Sequence, residues 1–167
     1  MKDYIIATAS TCDLDQQWLI DHDVPFISYT FEVDGIIYTD DCQKETTHAI
    51  YQKMREGKFP NTSQITSYAY YEFFKDLLSH GKPVIFADMD KAISNSYANS
   101  ISAKEMILEE LPKAQLYILD TRCITTGLGL LIRHMVRKKE EGTGCEELVS
   151  WANENALKIA HPFVVDD

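Results

Sequence analysis

The sequence lacks the long apolar segments that would tie it to a membrane. None of its apolar runs approaches the roughly 18–20 residues that a membrane-spanning helix needs. After Met-Lys-Asp the N-terminus offers only a handful of apolar residues, which is too few for the apolar core of a signal peptide. These two absences predict a cytoplasmic protein with no integral membrane association.

Paired cysteines and positive charge are scarce as well. The cysteines form no C-x-x-C pair and have no histidine at metal-ligand spacing, and they are Cys12, Cys42, Cys123 and Cys145. We therefore expect reduced thiols and no metal. The 16 Lys and Arg residues are outnumbered by 26 Asp and Glu residues, giving a formal net charge of −10. Because nucleic acids and anionic lipid surfaces bind clustered Lys and Arg, this charge argues against both as partners.

Recognisable machinery for breaking bonds is also missing. The sequence has no G-x-S-x-G elbow and no phosphate-binding G-x-x-x-x-G-K-S/T loop, and its 5 histidines are scattered. Two weaker candidates remain. Asp88 and Asp90 lie near the end of a predicted strand, where they would be able to hold a metal, and Cys12 lies in a turn where a thiol can act as a nucleophile. The ordinary interpretation of Cys12 is a buried thiol.

What the chain does contain is the composition of a folded domain. Its 167 residues fit one globular domain, and 45% of them are hydrophobic. Apolar runs that suit buried strands alternate with longer helical patterns, which predicts an α/β domain with a mainly parallel sheet and flanking helices. Asp34-Gly35 lies between the apolar segments 26–33 and 36–38, and this is a strong hairpin signal. Part of the sheet, or an appended ribbon, should therefore be antiparallel.

The same patterns predict the remaining elements. Strands are expected at residues 4–7, 83–87 and 116–119, with a further strand beginning at 163–165. Helices are expected around residues 16–21, from about 47 to Gly57, from Thr66 or Ser67 to Gly81, and at 95–110, 127–139 and 146–159. Pro60 to Gln64 is expected to be a loop. The helix that begins near Thr66 is crowded with aromatic residues, which either pack into the core or partly line an apolar ligand pocket.

Serine and threonine residues follow the predicted strands in a way that indicates a binding site. Ser10 follows the first strand, Ser94-Asn95-Ser96 follows the strand at 83–87, and Thr126 is among the hydroxyl residues after the strand at 116–119. Thr62-Ser63 lies just ahead of another helix. The carboxyl ends of parallel strands share one edge of a sheet, where hydroxyls and the free N–H groups of helix starts bind anions. The alternative is that each hydroxyl only caps its own helix.

The loops also resemble the motifs of a known family. Residues 8–14, Thr-Ala-Ser-Thr-Cys-Asp-Leu, resemble the opening Thr-Asp-Ser-Thr-x-Asp-Leu of the DegV family. Residues 24–26 and 34–40 are similar to that family's Val-Pro-Leu strand and its Gly-x-x-Tyr-x-Asp hairpin. Residues 62–66, 93–97 and 120–129 resemble its Thr-Ser-Gln-Pro-Ser loop, its Leu-Ser-Gly-Thr-Tyr segment and its Asp-Ser…Gly-x-Gly segment. The motifs stand in family order and cover nearly all of the chain.

The resemblance implies a fold and a ligand. Family members have an α/β N-terminal domain and a second α/β domain, with a fatty acid bound between and within them. Residues 1–167 would form a single domain like the N-terminal one, and the second domain would be absent or truncated. Some members act as the acyl-binding subunit of a bacterial fatty acid kinase, in which a separate subunit uses ATP. The resemblance thus implies a non-enzymatic protein without a cofactor, with a long-chain fatty acid as ligand and a kinase catalytic subunit as candidate partner.

The resemblance also assigns the residues that bind the head group. Thr62 and Ser94 would hydrogen-bond the carboxylate, and Ser63 and the backbone near Asn95 would assist. Three residues from the same hydroxyl-bearing loops complete the predicted ligand-binding set, namely Ser96, Ser10 and Thr126.

Asp90-Lys91 departs from the family in a way that affects the chemistry, since two serines are common there. The Asp90 carboxylate would repel a carboxylate ligand unless Lys91 or another cation offsets it. Two other functions therefore stay open. The chain is either an interaction domain without bound lipid, or a small enzyme that acts on a phosphorylated or carboxylated metabolite through Cys12 or through Asp88 and Asp90.

Overall fold

The structure, a computed structural model, describes residues 3–162. The strands in this part of the chain form two sheets. In chain order they are β1 (Ile5–Ala9), β2 (Phe26–Ile27), β3 (Thr30–Val33), β4 (Ile36–Thr39), β5 (Asn61–Ser63), β6 (Val84–Asp88) and β7 (Leu116–Asp120). One sheet is parallel and has the order β2-β1-β6-β7, and the other is antiparallel and has the order β4-β3-β5. The predicted α/β class, with a mainly parallel sheet and an antiparallel hairpin, is confirmed.

The strand order of the parallel sheet creates a crevice at one edge. From β1 the chain leads to β2 on one side, whereas β6 lies on the other side of β1 and leads on to β7. The loops after β1 and β6 therefore turn toward opposite faces of the sheet, which is where open α/β sheets bind ligands. The two strands pair from Ile5 with Val84 to Thr8 with Ala87. The Thr8 hydroxyl also donates to the carbonyl of Ala87 at 2.9 Å, which ties the strands together near the crevice.

Six α-helices alternate with the strands along the described part of the chain. They are α1 (Gln16–Asp21), α2 (Lys44–Arg55), α3 (Ser67–Ser79), α4 (Ser96–Glu110), α5 (Thr125–Glu140) and α6 (Cys145–Asn155), and a short 3-10 turn follows at Ala156–Lys158. Thr66 caps α3, since its hydroxyl accepts a hydrogen bond from the N–H of Ala69 at 3.2 Å. Of the helices within residues 3–162, none is long and apolar enough to cross a membrane.

Two predictions about strands are wrong. Residues 61–63, expected in a loop, form β5 and pair with β3. Phe26 and Ile27, expected to be part of the hairpin, pair with β1 in the parallel sheet. Both pairings join segments that are distant in the sequence, so local patterns do not reveal them.

The remaining differences concern the ends of elements. Helices α2 and α5 begin at Lys44 and Thr125, slightly before their predicted starts. The first turn of each helix contains polar residues, which the apolar pattern does not reveal. Helix α6 ends at Asn155, where the chain tightens into the 3-10 turn. The strand expected at 163–165 lies outside the described residues.

The antiparallel sheet and α2 stand apart from the main core. Asp34 and Gly35 form the hairpin tip with φ angles of 55° and 76°, as a tight two-residue turn requires. Helix α2 has no buried residue, and Ile37 on β4 is 72% exposed. The main hydrophobic cluster draws on the parallel sheet and on α3 to α6, but on no residue of β3, β4, β5 or α2. This part of the fold therefore adds little to the core.

Phe86, in the middle of β6, organises the aromatic part of the core. Its ring is fully buried and meets the rings of Phe74 and Tyr70 edge to face, at centroid distances of 5.1 and 5.6 Å. Phe73 adds a third edge contact at 6.2 Å. On the outer side of α3, Tyr68 is 64% exposed. The aromatic residues of α3 thus serve the core on one side of the helix and the surface on the other.

A pair of phenylalanine variants tests this account of the core. Phe86→Ala is expected to lower the free energy of unfolding by about 3–5 kcal/mol, because it empties a site enclosed by aromatic rings. Phe59→Ala is the matched control, since Phe59 is 77% exposed and its removal should cost less than about 0.5 kcal/mol. Urea unfolding followed by circular dichroism measures both values. Equal losses would show that Phe86 is not part of a packed core.

Candidate functional site

A cavity of about 290 Å³ opens beside the carboxyl end of β6. Three segments that are distant in the sequence meet there: the turn between β2 and β3, the strand β5 with the residue after it, and the loop between β6 and α4. Hydroxyl and amide side chains are frequent in this lining, and Lys91 is its one charged member. The lining residues are Tyr29, Thr62, Ser63, Gln64, Lys91, Ala92, Ile93, Ser94 and Asn95.

Ser94 can donate a hydrogen bond into the cavity. Its Oγ accepts a hydrogen bond from the N–H of Ser96 at 3.1 Å, so the hydroxyl hydrogen of Ser94 stays free for another acceptor. Asn95 is the N-cap residue of α4, and its side chain makes no capping hydrogen bond. The first N–H groups of such a helix have no partner within the helix and carry the positive end of its dipole. This corner of the cavity therefore suits an anion.

Strand β5 supplies another wall of the cavity. It is an edge strand that pairs only with β3, with Thr62 opposite Phe31 and Ser63 opposite Thr30. Thr62 and Ser63 are both exposed. Pairing on one edge therefore fixes the backbone of these two hydroxyl residues while their side chains stay accessible to a ligand.

Ser96 lies behind the cavity and positions this wall. Its side chain is fully buried, and its Oγ accepts a hydrogen bond from the N–H of Ile65 at 3.2 Å. The side-chain amide of Asn99 donates to the carbonyl of Ile65 at 2.8 Å. Helix α4 thus binds both the N–H and the carbonyl of Ile65, which closely follows β5. The sequence predicts Ser96 to be a ligand-binding residue. In the structure its hydroxyl oxygen accepts the hydrogen bond from Ile65 and so supports the wall of the cavity.

Tyr29 is a lining residue that the sequence reasoning missed. Its side chain is 9% exposed, and its hydroxyl has no hydrogen-bond partner among the described residues. Burial raises the pKa of this hydroxyl. The N–H of Tyr29 donates to the Oγ of Ser10 at 3.0 Å, so Ser10 holds Tyr29 from behind. No local signal marks Tyr29, because a tyrosine within an alternating β segment looks like an ordinary strand residue.

Lys91 lines the cavity, whereas Asp90 does not. The Oδ1 of Asp90 accepts a hydrogen bond from the N–H of Ala92 at 2.8 Å, which stabilises the turn and keeps Asp90 out of the lining. Lys91 lines the cavity, and its Nζ lies 3.3 Å from Oδ2 of Asp120. The Nε of Arg122 lies 3.9 Å from the same oxygen, so Asp120 has a second cation beside it. The Asp90 carboxylate, which was expected to repel a carboxylate ligand, is therefore not part of the lining.

Four of the seven predicted ligand-binding residues come together in this cavity, namely Thr62, Ser63, Ser94 and Asn95. Ser10 and Ser96 lie behind it and hold its walls. Thr126 lies elsewhere, exposed on the first turn of α5 beside a separate surface depression that Cys12 and Arg133 also line. The loop after β7 thus does not share the site of the other hydroxyl-bearing loops.

The residues considered for catalysis lack a supporting arrangement. Cys12 is fully buried, so its thiol is closed to a substrate in this conformation. Asp88 is also fully buried, and its two carboxyl oxygens accept hydrogen bonds from the N–H of Met89 at 2.9 Å and from the Ser100 hydroxyl at 3.1 Å. Within residues 3–162 there is no group of three or more His, Cys, Asp and Glu side chains that could hold a metal ion.

The buried Asp88 makes the stability of the fold depend on pH. Burial is the main cause that raises the pKa of Asp88 to about 7, and the hydrogen bonds from Met89 and Ser100 oppose this rise. An aspartate in an unfolded chain titrates at about 3.9. The folded state therefore binds this proton more tightly than the unfolded state. The free energy of unfolding falls as pH rises from about 4 to about 7, and the contribution is constant above that range.

Asp88→Asn tests this dependence, because a neutral amide keeps the shape of the carboxyl and needs no proton. Relative to the native chain, the variant should gain stability between about pH 5 and pH 8, at about 1.4 kcal/mol for each unit of pKa difference that is removed. Urea unfolding at the two pH values measures the gain. The same difference between the two proteins at both pH values would contradict the assignment.

Proteins of a known family are similar to this chain in sequence. The family model described as an uncharacterised protein of the DegV family matches residues 4–167. A DegV domain-containing protein of Clostridium perfringens is 35% identical over 167 residues, which make up 99% of this chain and 57% of that protein. A DegV domain-containing protein of Caldanaerobacter subterraneus is 30% identical over 168 residues, covering 99% of this chain and 58% of that protein.

Solved structures share the fold. A stearic acid-binding protein of Eubacterium ventriosum has a TM-score of 0.82 and 29% identity, covering 90% of this chain and 52% of that one. A DegV lipid-binding protein of Thermotoga maritima has a TM-score of 0.80 and 20% identity, covering 93% of this chain and 55% of that one. This chain spans slightly more than half the length of such relatives. With a family match from residue 4 to residue 167, the chain belongs to the DegV family.

Proposed function

We propose that this chain is a non-enzymatic binding protein whose cavity holds the carboxylate of a long-chain fatty acid. The observation that carries the proposal is the lining, where Ser94 has a hydroxyl free to donate, α4 begins and Lys91 is the charged residue. An ionised carboxylate only accepts hydrogen bonds, so it matches a lining of donors and a cation. The stearic acid-binding relative of Eubacterium ventriosum supports a fatty acid as the ligand.

Thr62 and Ser94 are the principal donors in this proposal. Thr62 comes from the antiparallel sheet and Ser94 from the loop after the parallel strand β6, so a bound carboxylate would connect the two sheets. Each hydrogen bond to a charged group contributes about 1.5–3 kcal/mol. Ser63 and the backbone near Asn95 assist from the same two segments.

The acyl tail would supply most of the affinity. Each buried methylene contributes about 0.8 kcal/mol, so a long chain outweighs a few hydrogen bonds before the costs of binding are counted. The cavity is small, and its hydroxyl lining suits the head group. Ile93 lines the cavity and is 53% exposed, so the acyl tail would leave the head-group site along this apolar side chain. Because the chain spans 57% of the Clostridium perfringens relative, a second family domain that covers the tail is part of the proposal.

A separate kinase subunit is the proposed partner. Thr62, Ser63 and Asn95 are exposed, so the head group would be bound where a partner can reach it. The sequence has no phosphate-binding G-x-x-x-x-G-K-S/T loop, so the nucleotide chemistry would come from that partner. A partner that uses ATP would also place the complex in the cytoplasm.

Removing the two principal hydroxyls tests the head-group assignment. Thr62→Ala and Ser94→Ala each delete one donor, and each is expected to weaken palmitate binding about tenfold to a hundredfold. Ser102→Ala is the matched control, because Ser102 is exposed in the same helix that begins beside Ser94. Equilibrium dialysis with labelled palmitate measures the affinity, and mass spectrometry of organic extracts identifies any lipid that purifies with the chain.

The double variant of Thr62 and Ser94 decides the outcome. Full affinity in that variant would show that the carboxylate is bound elsewhere. If neither the native chain nor a longer form that carries the second family domain binds palmitate or carries a lipid, the proposal fails and the alternative of an interaction domain gains support.

Lys91 allows an independent test that depends on charge. Lys91→Met keeps an unbranched side chain but removes the ammonium group, so palmitate affinity should fall several-fold at low ionic strength. The loss should shrink as salt is added, because salt screens exposed charges. Lys113→Met is the control, since Lys113 is exposed in the loop before β7 and lines a different depression. An equal loss at low and high salt would contradict a direct charge interaction.

A further inference from the structure

The geometry points to Tyr29 as a further head-group residue, whose phenolic hydroxyl donates a hydrogen bond to the bound carboxylate. This inference rests on the proposed function of the cavity. Tyr29 lies outside the segments that resemble the family motifs, between residues 24–26 and 34–40, so the resemblance does not assign it a role.

The first observation is a buried donor without a partner. Tyr29 is 9% exposed, and its hydroxyl makes no hydrogen bond to any residue between 3 and 162. Buried hydroxyls are nearly always paired, because a hydroxyl that loses water and gains no partner destabilises the fold. The buried unpaired side-chain atoms of the described residues are the hydroxyls of Thr11, Tyr29 and Tyr70, and of these three residues Tyr29 alone lines the cavity.

The second observation is that hydroxyls converge beside Tyr29. Burial raises the pKa of Tyr29, and the nearby hydroxyls of Ser96, Ser94 and Tyr70 oppose that rise. The Oγ of Ser94 accepts a hydrogen bond from a backbone N–H at 3.1 Å, which leaves its own hydrogen free. Two hydroxyl hydrogens, those of Tyr29 and Ser94, are therefore available at this side of the cavity. A carboxylate, with its two oxygens and about four lone-pair positions, can accept both.

The third observation is that the backbone of Tyr29 is fixed on both sides. Its N–H donates to the Oγ of Ser10 at 3.0 Å, and its carbonyl accepts a hydrogen bond from the N–H of Asp40 at 2.9 Å. Ser10 follows β1 and Asp40 follows β4, so Tyr29 is held between the two sheets. Ser10 is thus a positioning residue, which acts on the ligand through Tyr29. A donor that is held in place loses little freedom when it binds.

Thr11 provides a matched control for the test. Its hydroxyl oxygen is also buried and unpaired, and Thr11 is absent from the lining of the cavity. Tyr29→Phe and Thr11→Val each remove one unpaired buried oxygen and keep the rest of the side-chain shape. A purely structural effect would therefore be similar in the two variants, whereas a contact with the ligand would be lost only in Tyr29→Phe.

The experiment compares the native 167-residue chain with these two variants. Tyr29→Phe should weaken palmitate binding about tenfold or more, as expected for the loss of a hydrogen bond to a charged group. Thr11→Val should bind palmitate as the native chain does. Palmitate labelled with carbon-13 at its carboxyl gives a second readout, because the carboxyl resonance of the bound ligand should move in Tyr29→Phe and stay in place in Thr11→Val. Thermal unfolding should show both variants folded, since each removes an oxygen that has no hydrogen-bond partner.

The outcomes separate this inference from the function on which it rests. Native affinity and an unmoved carboxyl resonance in Tyr29→Phe would overturn the inference while the native chain still binds palmitate. An equal loss in Thr11→Val would overturn it as well, because the effect would then be structural. If neither the native chain nor a longer form that carries the second family domain binds palmitate, the proposed function fails and the inference fails with it.

Discussion

The parallel pairing of β1 with β6 is the constraint on which the site depends. It brings the carboxyl ends of two strands together although about 80 residues of sequence separate them, and the Thr8 hydroxyl reinforces the pairing near that end. The loops that leave the two strands diverge, and the space between them is where Tyr29, held by Ser10, meets Ser94. A sheet in which β1 and β6 were not neighbours would separate these two loops along its edge.

The core and the site differ in the kind of side chain that they bury. Around Phe86 the aromatic side chains pack against one another ring to ring. Around the cavity a buried phenol has no partner and a buried carboxyl has a pKa raised to about 7. Such polar burial opposes folding, and proteins tolerate it where function requires it. The apolar packing of β6 on α3 offsets this cost within a few residues of the site.

Local patterns were sufficient for much of the fold. The apolar runs of the buried strands, the cap at Thr66 and the hairpin at Asp34-Gly35 each have a cause within a few neighbouring residues. The resemblance to the family motifs, and not a local pattern, predicted Thr62 and Ser94 as neighbouring site residues, and both line the cavity. The pairing of β5 and the role of Tyr29 were not predictable in this way, because both depend on contacts between distant segments. Asp90 is intermediate: its carboxylate accepts a hydrogen bond from the N–H of Ala92, which is a common local turn, but its absence from the lining of the cavity was not predictable from that turn.

The walls of the cavity belong to parts of the fold with unequal support. Ser94 adjoins the parallel sheet, whereas Thr62 belongs to an antiparallel sheet that, like α2, contributes nothing to the main hydrophobic cluster. Segments with little apolar burial open locally at a lower free energy than the whole molecule needs to unfold. A ligand that bridges both walls binds only when both are formed, so by linkage it stabilises the weaker one. Occupancy of the cavity would thus slow amide hydrogen exchange at the hairpin of β3 and β4, whose tip lies outside the lining of the cavity.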